Sequence, residues 1–218
     1  MELEKFIQIL ILIHAGFGGI ALISGLVALI TKKGRKIHKK AGIIFFYSML
    51  TSAIFAFIIS VLPNHHSPFL FSIGIFSIYF LLIGYRSLRF KRKNVNSQNE
   101  KIISWLMVVV GLSMILFPIL LLGVINIVLT IFGLVGLIFA LRNLRMYQSP
   151  EKIHKNWLKL HLGNMTGGYI AAVTAFVVVN DIFPSFYGWF IPGVIGGVFI
   201  VYWIMKLNKG NVPKTVTN

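Results

Sequence analysis

The sequence contains no cysteine. That excludes disulfides, thiolate metal sites, iron–sulfur clusters and a cysteine nucleophile, and it leaves the redox compartment unreadable. Acidic residues are scarce: 5 Asp and Glu stand against 21 Lys and Arg in 218 residues. Charged residues make up 12% of the chain, where a soluble domain carries roughly 25%, so an ordinary soluble fold is excluded. Also missing are an HExxH zinc motif, a Gly-rich phosphate loop leading from a strand, and a G-x-S-x-G elbow, so nothing indicates a hydrolase or an ATPase. The start Met1-Glu2-Leu3-Glu4-Lys5 lacks the basic opening and small-residue cleavage site of a signal peptide, and the apolar stretch behind it is expected to be a retained span.

What is present is hydrophobic length. Crossing about 30 Å of hydrocarbon takes roughly 20 helical residues. Apolar stretches of that size run over 6–30, 41–62, 69–88, 161–180 and 187–207, the last two separated by the turn-like Asp181-Ile182-Phe183-Pro184-Ser185. Residues 102–141 carry no charge at all and as one helix would reach about 60 Å, twice the bilayer requirement. This stretch must fold back. Pro118, Gly123 and Asn126 are the breakers near its middle, which predicts a tight hairpin between 119 and 125 and two spans, 102–120 and 124–141.

Charge supports this division independently, because cytoplasmic loops of membrane proteins collect Lys and Arg. With seven spans, the segments after the first, third and fifth spans and the tail after the seventh hold every Lys and Arg except Lys5. With residues 102–141 as a single span, the basic segment from Arg142 to Lys159 would fall outside and the bias would collapse. The expected fold is therefore an all-α integral membrane protein of seven transmembrane helices. Its N-terminus is expected outside and its C-terminus in the cytoplasm, with residues 1–218 forming a single membrane domain. The net charge of +16 lies between apolar runs, not on a soluble face, so the expected partner is a bilayer with anionic lipids at the cytoplasmic side, not nucleic acid. Residues 143–159 are expected to hold a short interfacial helix opening at Ser149-Pro150-Glu151, with Trp157 in the headgroup layer. Lys36-Ile37-His38-Lys39 is echoed by Lys152-Ile153-His154-Lys155, each ahead of a span that runs from inside to outside.

No acidic residue falls inside these spans; Glu100 and Glu151 read as loop residues. That counts against a proton- or cation-coupled transporter, since ions in the membrane need charged or strongly polar partners. Histidine remains. His14 lies within the first span, and His65 and His66 lie in a polar outer turn beside Pro63, Asn64, Ser67 and Pro68. His38, His154 and His161 lie at or near the inner ends of the second and sixth spans. Imidazole is the commonest metal ligand and often holds haem iron, so His14, His38, His154 and His161 are the candidate cofactor ligands, for haem or a transition metal. The plainer alternatives are a helix-to-helix hydrogen bond for His14 and a solvated, lipid-facing surface for His38. His14, Gly18, Ala21, Gly25 and Ala28 form one small-residue face, which either admits a close helix or leaves a slot for a flat ligand. Gly163, Gly167, Ala171 and Ala175 repeat the theme in the sixth span, where packing is the favoured reading.

Certain stretches resemble a family of uncharacterised bacterial multi-pass membrane proteins, catalogued as a domain of unknown function. They are His14-Ala15-Gly16 with Ala21-Leu22-Ile23-Ser24-Gly25, Lys36-Ile37-His38-Lys39-Lys40-Ala41-Gly42, and His154-Lys155-Asn156-Trp157 leading into Tyr169-Ile170-Ala171-Ala172-Val173-Thr174-Ala175-Phe176. The resemblance implies a multi-pass protein of the bacterial cytoplasmic membrane with His14, His38 and His154 in a recurring pattern, and it supplies no activity. Three functions compete. One is a histidine-ligated haem or metal protein with a redox or assembly role. Another is a carrier or channel for a small neutral or anionic solute, resting on Asn126, Asn164 and Asn180. The third is a non-catalytic lipid- or partner-binding protein.

Overall fold

The computed structural model describes residues 2–183 and 185–209. Met1, Pro184 and the tail with Lys214 lie outside the described residues. Seven α-helices follow one another: α1 (Glu2–Ile30), α2 (Lys36–Ile59), α3 (Pro68–Arg86), α4 (Gln98–Leu122), α5 (Ile127–Met146), α6 (Pro150–Val179) and α7 (Ile191–Asn208). Single 3-10 turns at Ser87–Lys91 and Ser185–Trp189 follow α3 and precede α7, and no strand occurs among the described residues. All seven are long and apolar enough to cross a membrane. Their outer faces bear the large side chains that a soluble protein hides: Leu12 is 71% exposed, Leu120 75% and Val179 82%.

The helices match the seven expected spans in number and order, but α1, α2, α4 and α6 start four or more residues earlier. α2 opens at Lys36, α4 at Gln98 and α6 at Pro150, because Lys, Glu and Gln are good helix formers and continue the helix beyond its apolar part. A separate interfacial helix over 149–159 is therefore not found. Nothing after Pro150 breaks the pattern, so Trp157 belongs to one helix of 30 residues. The central hairpin falls at its expected place with a different division of labour. Pro118 lies inside α4, while Gly123 ends that helix at φ 65°, a left-handed conformation open to glycine. Asn126 then starts α5, its side chain accepting from the Leu129 N–H at 3.0 Å.

The chain divides into two compact units. The first comprises Met1–Ile59 with Thr166–Asn218, and the second Ser60–Met165. In the first, α1 and α2 form a close hairpin. The small-residue face of α1 is filled by side chains: a Cβ on Gly18 would meet Ser52 Oγ at 3.3 Å, and one on Gly25 would run into the Tyr169 ring. Tyr169 stacks edge-on against Phe45, with ring centres 5.8 Å apart, and donates its hydroxyl to the Leu22 carbonyl at 3.2 Å. Lys33, in the α1–α2 turn, donates to the terminal carbonyls of Ala28 and Leu29 and lies over the rings of Phe199 and Trp203. Burial lowers the pKa of its amine.

In the second unit α3 packs on α4 and α5. Glycines let α4 and α5 touch backbone to backbone, a Cβ on Gly133 meeting the Gly111 carbonyl at 2.7 Å. Phe76, Phe80, Phe132 and Phe139 interlock edge to face across α3 and α5. Phe90, Tyr147, Ile153 and Leu160 close a separate apolar cluster beneath Trp157.

Gly25→Val forces the Tyr169 ring out of its seat, and overpacking of this kind costs about 1–3 kcal/mol. Thermal unfolding in detergent is expected to show a lowered midpoint, partly restored when Tyr169→Leu is added to the same chain.

Candidate functional site

The four candidate histidines share one geometry, in which each sets Nδ1 against a backbone carbonyl. His14 Nδ1 lies 2.9 Å from the Ser52 carbonyl, and the Ser52 hydroxyl returns a bond to the His14 carbonyl at 3.0 Å. His38 Nδ1 lies 2.9 Å from the Ala28 carbonyl, in the last turn of α1. His161 Nδ1 lies 2.9 Å from the Gly84 carbonyl in the last turn of α3, and His154 Nδ1 lies 3.1 Å from the Phe90 carbonyl in the 3-10 turn beyond it. A carbonyl accepts only, so in His38, His154 and His161 Nδ1 carries the proton, whereas His14 Nδ1 lies 2.9 Å from the Ser52 hydroxyl as well as from its carbonyl. The last carbonyls of a helix have no partner within it. His38, His154 and His161 supply that partner, and His14 joins α1 to α2 in mid-helix. The two Lys-Ile-His-Lys stretches thus do one local job, each seating an early-helix histidine on the end of an earlier helical segment.

This arrangement bears on the cofactor expectation. Among the described residues no three of His, Asp or Glu group to hold a metal ion. Within the first unit His14 and His38 stand about 21 Å apart along α1, judged from the rise between His14 and Ala28. Within the second unit His154 and His161 lie on one face of α6, separated by about 10 Å. The face beside His14 that was to be a packing seam or a flat slot is a packing seam.

A site that sequence reasoning missed lies in the second unit. Glu100, expected in a loop, occupies the first turn of α4 and is 0% exposed. Its Oε1 accepts from Arg86 Nε at 2.7 Å and lies 3.5 Å from Arg89 Nη1. Ser104, one turn further along α4, is also fully buried. Deeper still, Asn143 Nδ2 donates to the Tyr79 hydroxyl at 2.7 Å and to Asn164 Oδ1 at 3.1 Å. Asn164 in turn donates to the Leu160 carbonyl. Of the three asparagines picked out in the sequence, only Asn164 belongs here; Asn126 caps α5, and Asn180 is exposed and bonded to the Phe176 carbonyl.

Two atoms of this cluster are buried with no hydrogen-bond partner, Glu100 Oε2 and the Tyr147 hydroxyl, while the buried Ser104 hydroxyl lies within bonding reach of Tyr79. Burial pushes the pKa of the Tyr147 hydroxyl up, and the nearby Tyr79 and Glu100 push it further. The signal that could have found the site is Ser97-Gln98-Asn99-Glu100, the S-x-x-E pattern of a helix start. Ser97 does stand at the N-cap, but its side chain makes no capping bond, and Glu100 turns to Arg86 instead.

No family model, curated protein or solved structure matches the chain. The fold defines the class, an all-α protein with seven helices fit to cross a membrane.

Removing Arg86 leaves the Glu100 carboxylate buried without its principal partner, a change that costs about 3–5 kcal/mol. Chemical denaturation is expected to show that loss for Arg86→Met and recovery of most of it in Arg86→Met with Glu100→Met. Equal stability of wild type and Arg86→Met would mean the pair is solvated.

Proposed function

We propose that the chain is a multi-pass membrane carrier for a small neutral polar solute, recognised by the buried polar groups of the second unit. The observation that carries this is the pair of unpartnered buried atoms, Glu100 Oε2 and the Tyr147 hydroxyl, beside the fully buried Ser104 hydroxyl. Each unmade bond costs about 1–3 kcal/mol, and a small polar guest offsets that cost. The ionised carboxylate only accepts, whereas the two hydroxyls both donate and accept, so the complementary guest offers donors and acceptors together. The unpartnered Glu100 Oε2 faces the guest, while Arg86 and Arg89 are engaged with Oε1 of the same carboxylate, and a neutral donor suits that oxygen. Arg89 is half exposed and Arg86 partly so, giving the cluster a polar approach from the helix ends.

In proteoliposomes, urea and glycerol are expected to equilibrate faster than in protein-free vesicles, with formate unaffected, and Ser104→Val with Asn143→Leu is expected to remove the effect. No acceleration of either neutral solute would count against a carrier of this kind.

A haem role keeps one supporting observation. With Nδ1 protonated, the second ring nitrogen carries the lone pair that ligates a metal, and a backbone carbonyl is an ordinary partner for the ring N–H of a ligating histidine. Haem takes one or two protein ligands, not three or more. The carrier reading expects purified protein without a Soret band. A band lost in His38→Ala or His161→Ala would move the assignment to haem.

The N-terminus is proposed to lie outside and the C-terminus in the cytoplasm of a bacterium, on the strength of the basic segments. The absence of native cysteine makes this directly testable. Val124→Cys, at the exposed α4–α5 turn, is expected to react with an impermeant thiol reagent in intact cells, and Gln148→Cys only after permeabilisation. The reverse pattern would invert the topology.

A further inference from the structure

The surface of the first unit carries an apolar slot with a single charged residue in its lining, about 430 Å³ in volume. Its walls are branched side chains: Ile20, Ile23 and Val27 from α1, with Ile37 and Ile44 from α2. The floor is low because it is made by two small residues, Ser24 and Ala41, both buried. The Ser24 hydroxyl donates to the Ile20 carbonyl at 2.7 Å, so the floor offers no free donor and suits hydrocarbon. From Ile20 to Val27 the slot follows α1 for about 10 Å, two helical turns.

Lys40, between Ile37 and Ile44 on α2, is the one charged residue lining the slot, and its stem carries the ammonium to the rim. Lys32, Arg35, Lys36 and Lys39 are exposed in the adjoining turn and first turn of α2. The sequence has no acidic residue from Lys5 to Asn99, and among the described residues none of these five cations makes a salt bridge. The slot therefore joins a hydrocarbon channel to a concentration of positive charge with no counter-charge of its own. Charge complementarity selects the occupant. An uncharged tail satisfies the walls, while a net anionic head satisfies Lys40 and its neighbours; a zwitterionic head would bring its own cation to the same place.

We infer that this slot is a binding site for one anionic phospholipid, with an acyl chain lying between α1 and α2 and its phosphate at Lys40. The site is separate from the polar cluster of the second unit and does not depend on its role. It also differs from the diffuse attraction of basic loops to a charged leaflet, because the tail slot and the head contact are fixed to each other by two helices joined through a short turn.

The test uses the full chain purified in detergent and titrated separately with dioleoyl phosphatidylglycerol, dioleoyl phosphatidylcholine and inorganic phosphate. Bound lipid is read by native mass spectrometry, and stability by thermal unfolding. One phosphatidylglycerol is expected to stay bound per chain and to raise the melting midpoint, with no such effect from phosphatidylcholine or phosphate. Lys40→Glu, at an exposed position, is expected to weaken retention at least tenfold, as is Ala41→Leu, which raises the floor. Lys155→Glu, an exposed cation on α6, serves as the control for general charge and is expected to retain lipid as wild type does. Equal retention of the two lipids overturns the proposal, as does unchanged binding in folded Lys40→Glu. A lipid-free dimer that Ala41→Leu dissociates would assign the slot to a second copy of the chain and also overturn it.

Discussion

In hydrocarbon a backbone N–H or C=O has no water to fall back on, and the structure follows from that constraint. It makes the chain helical from nearly one end of the described residues to the other. It also governs the polar side chains, which turn back on helix carbonyls: Ser24 on Ile20, Ser87 on Ile83, Asn164 on Leu160 and Asn180 on Phe176. The histidines obey the same constraint over longer separations. By seating Nδ1 on carbonyls that a helix end leaves over, His38 and His161 do for α1 and α3 what water does for a soluble protein. Protonation of the other ring nitrogen leaves the Nδ1 proton in place, so these bonds survive in both charge states of the imidazole.

Helix number and order were legible because apolar length is a strong signal and the even spread of Lys and Arg checks it. The hairpin at Gly123 was legible for a related reason, since an uncharged run of that length admits no single crossing. Helix starts were not. Lys36, Gln98 and Pro150 begin helices inside stretches that charge alone marks as loops, and treating charge as loop also hid Glu100. The histidines were legible as residues in need of partners, but not as to which partners. An imidazole at position 14 must find an acceptor, and only the packing of α2 against Gly18 determines that the acceptor is Ser52.

The polar cluster and the histidines occupy opposite ends of an energetic scale. The histidine bonds are complete pairs within ordinary packing. The cluster on α4 concentrates what membrane interiors avoid: a buried carboxylate, two guanidinium groups, and a tyrosine hydroxyl left over. Replacement of a buried ion pair by apolar side chains is often neutral or stabilising. The cluster is therefore weak evidence for stability, and it is the feature on which the proposed carrier role rests.

The turn between α4 and α5 carries no charge, and Leu121, Leu122, Val124, Ile125 and Ile127 are all well exposed around it. Its only polar side chain, Asn126, is occupied in capping α5. Such a turn crosses a bilayer without dragging any ion through hydrocarbon. On the proposed topology, the flanking cations, Lys101 before it and Arg142 after it, remain on the cytoplasmic side. During biogenesis, α4 and α5 can therefore enter as a preformed pair, with no need for each helix to be threaded in separately.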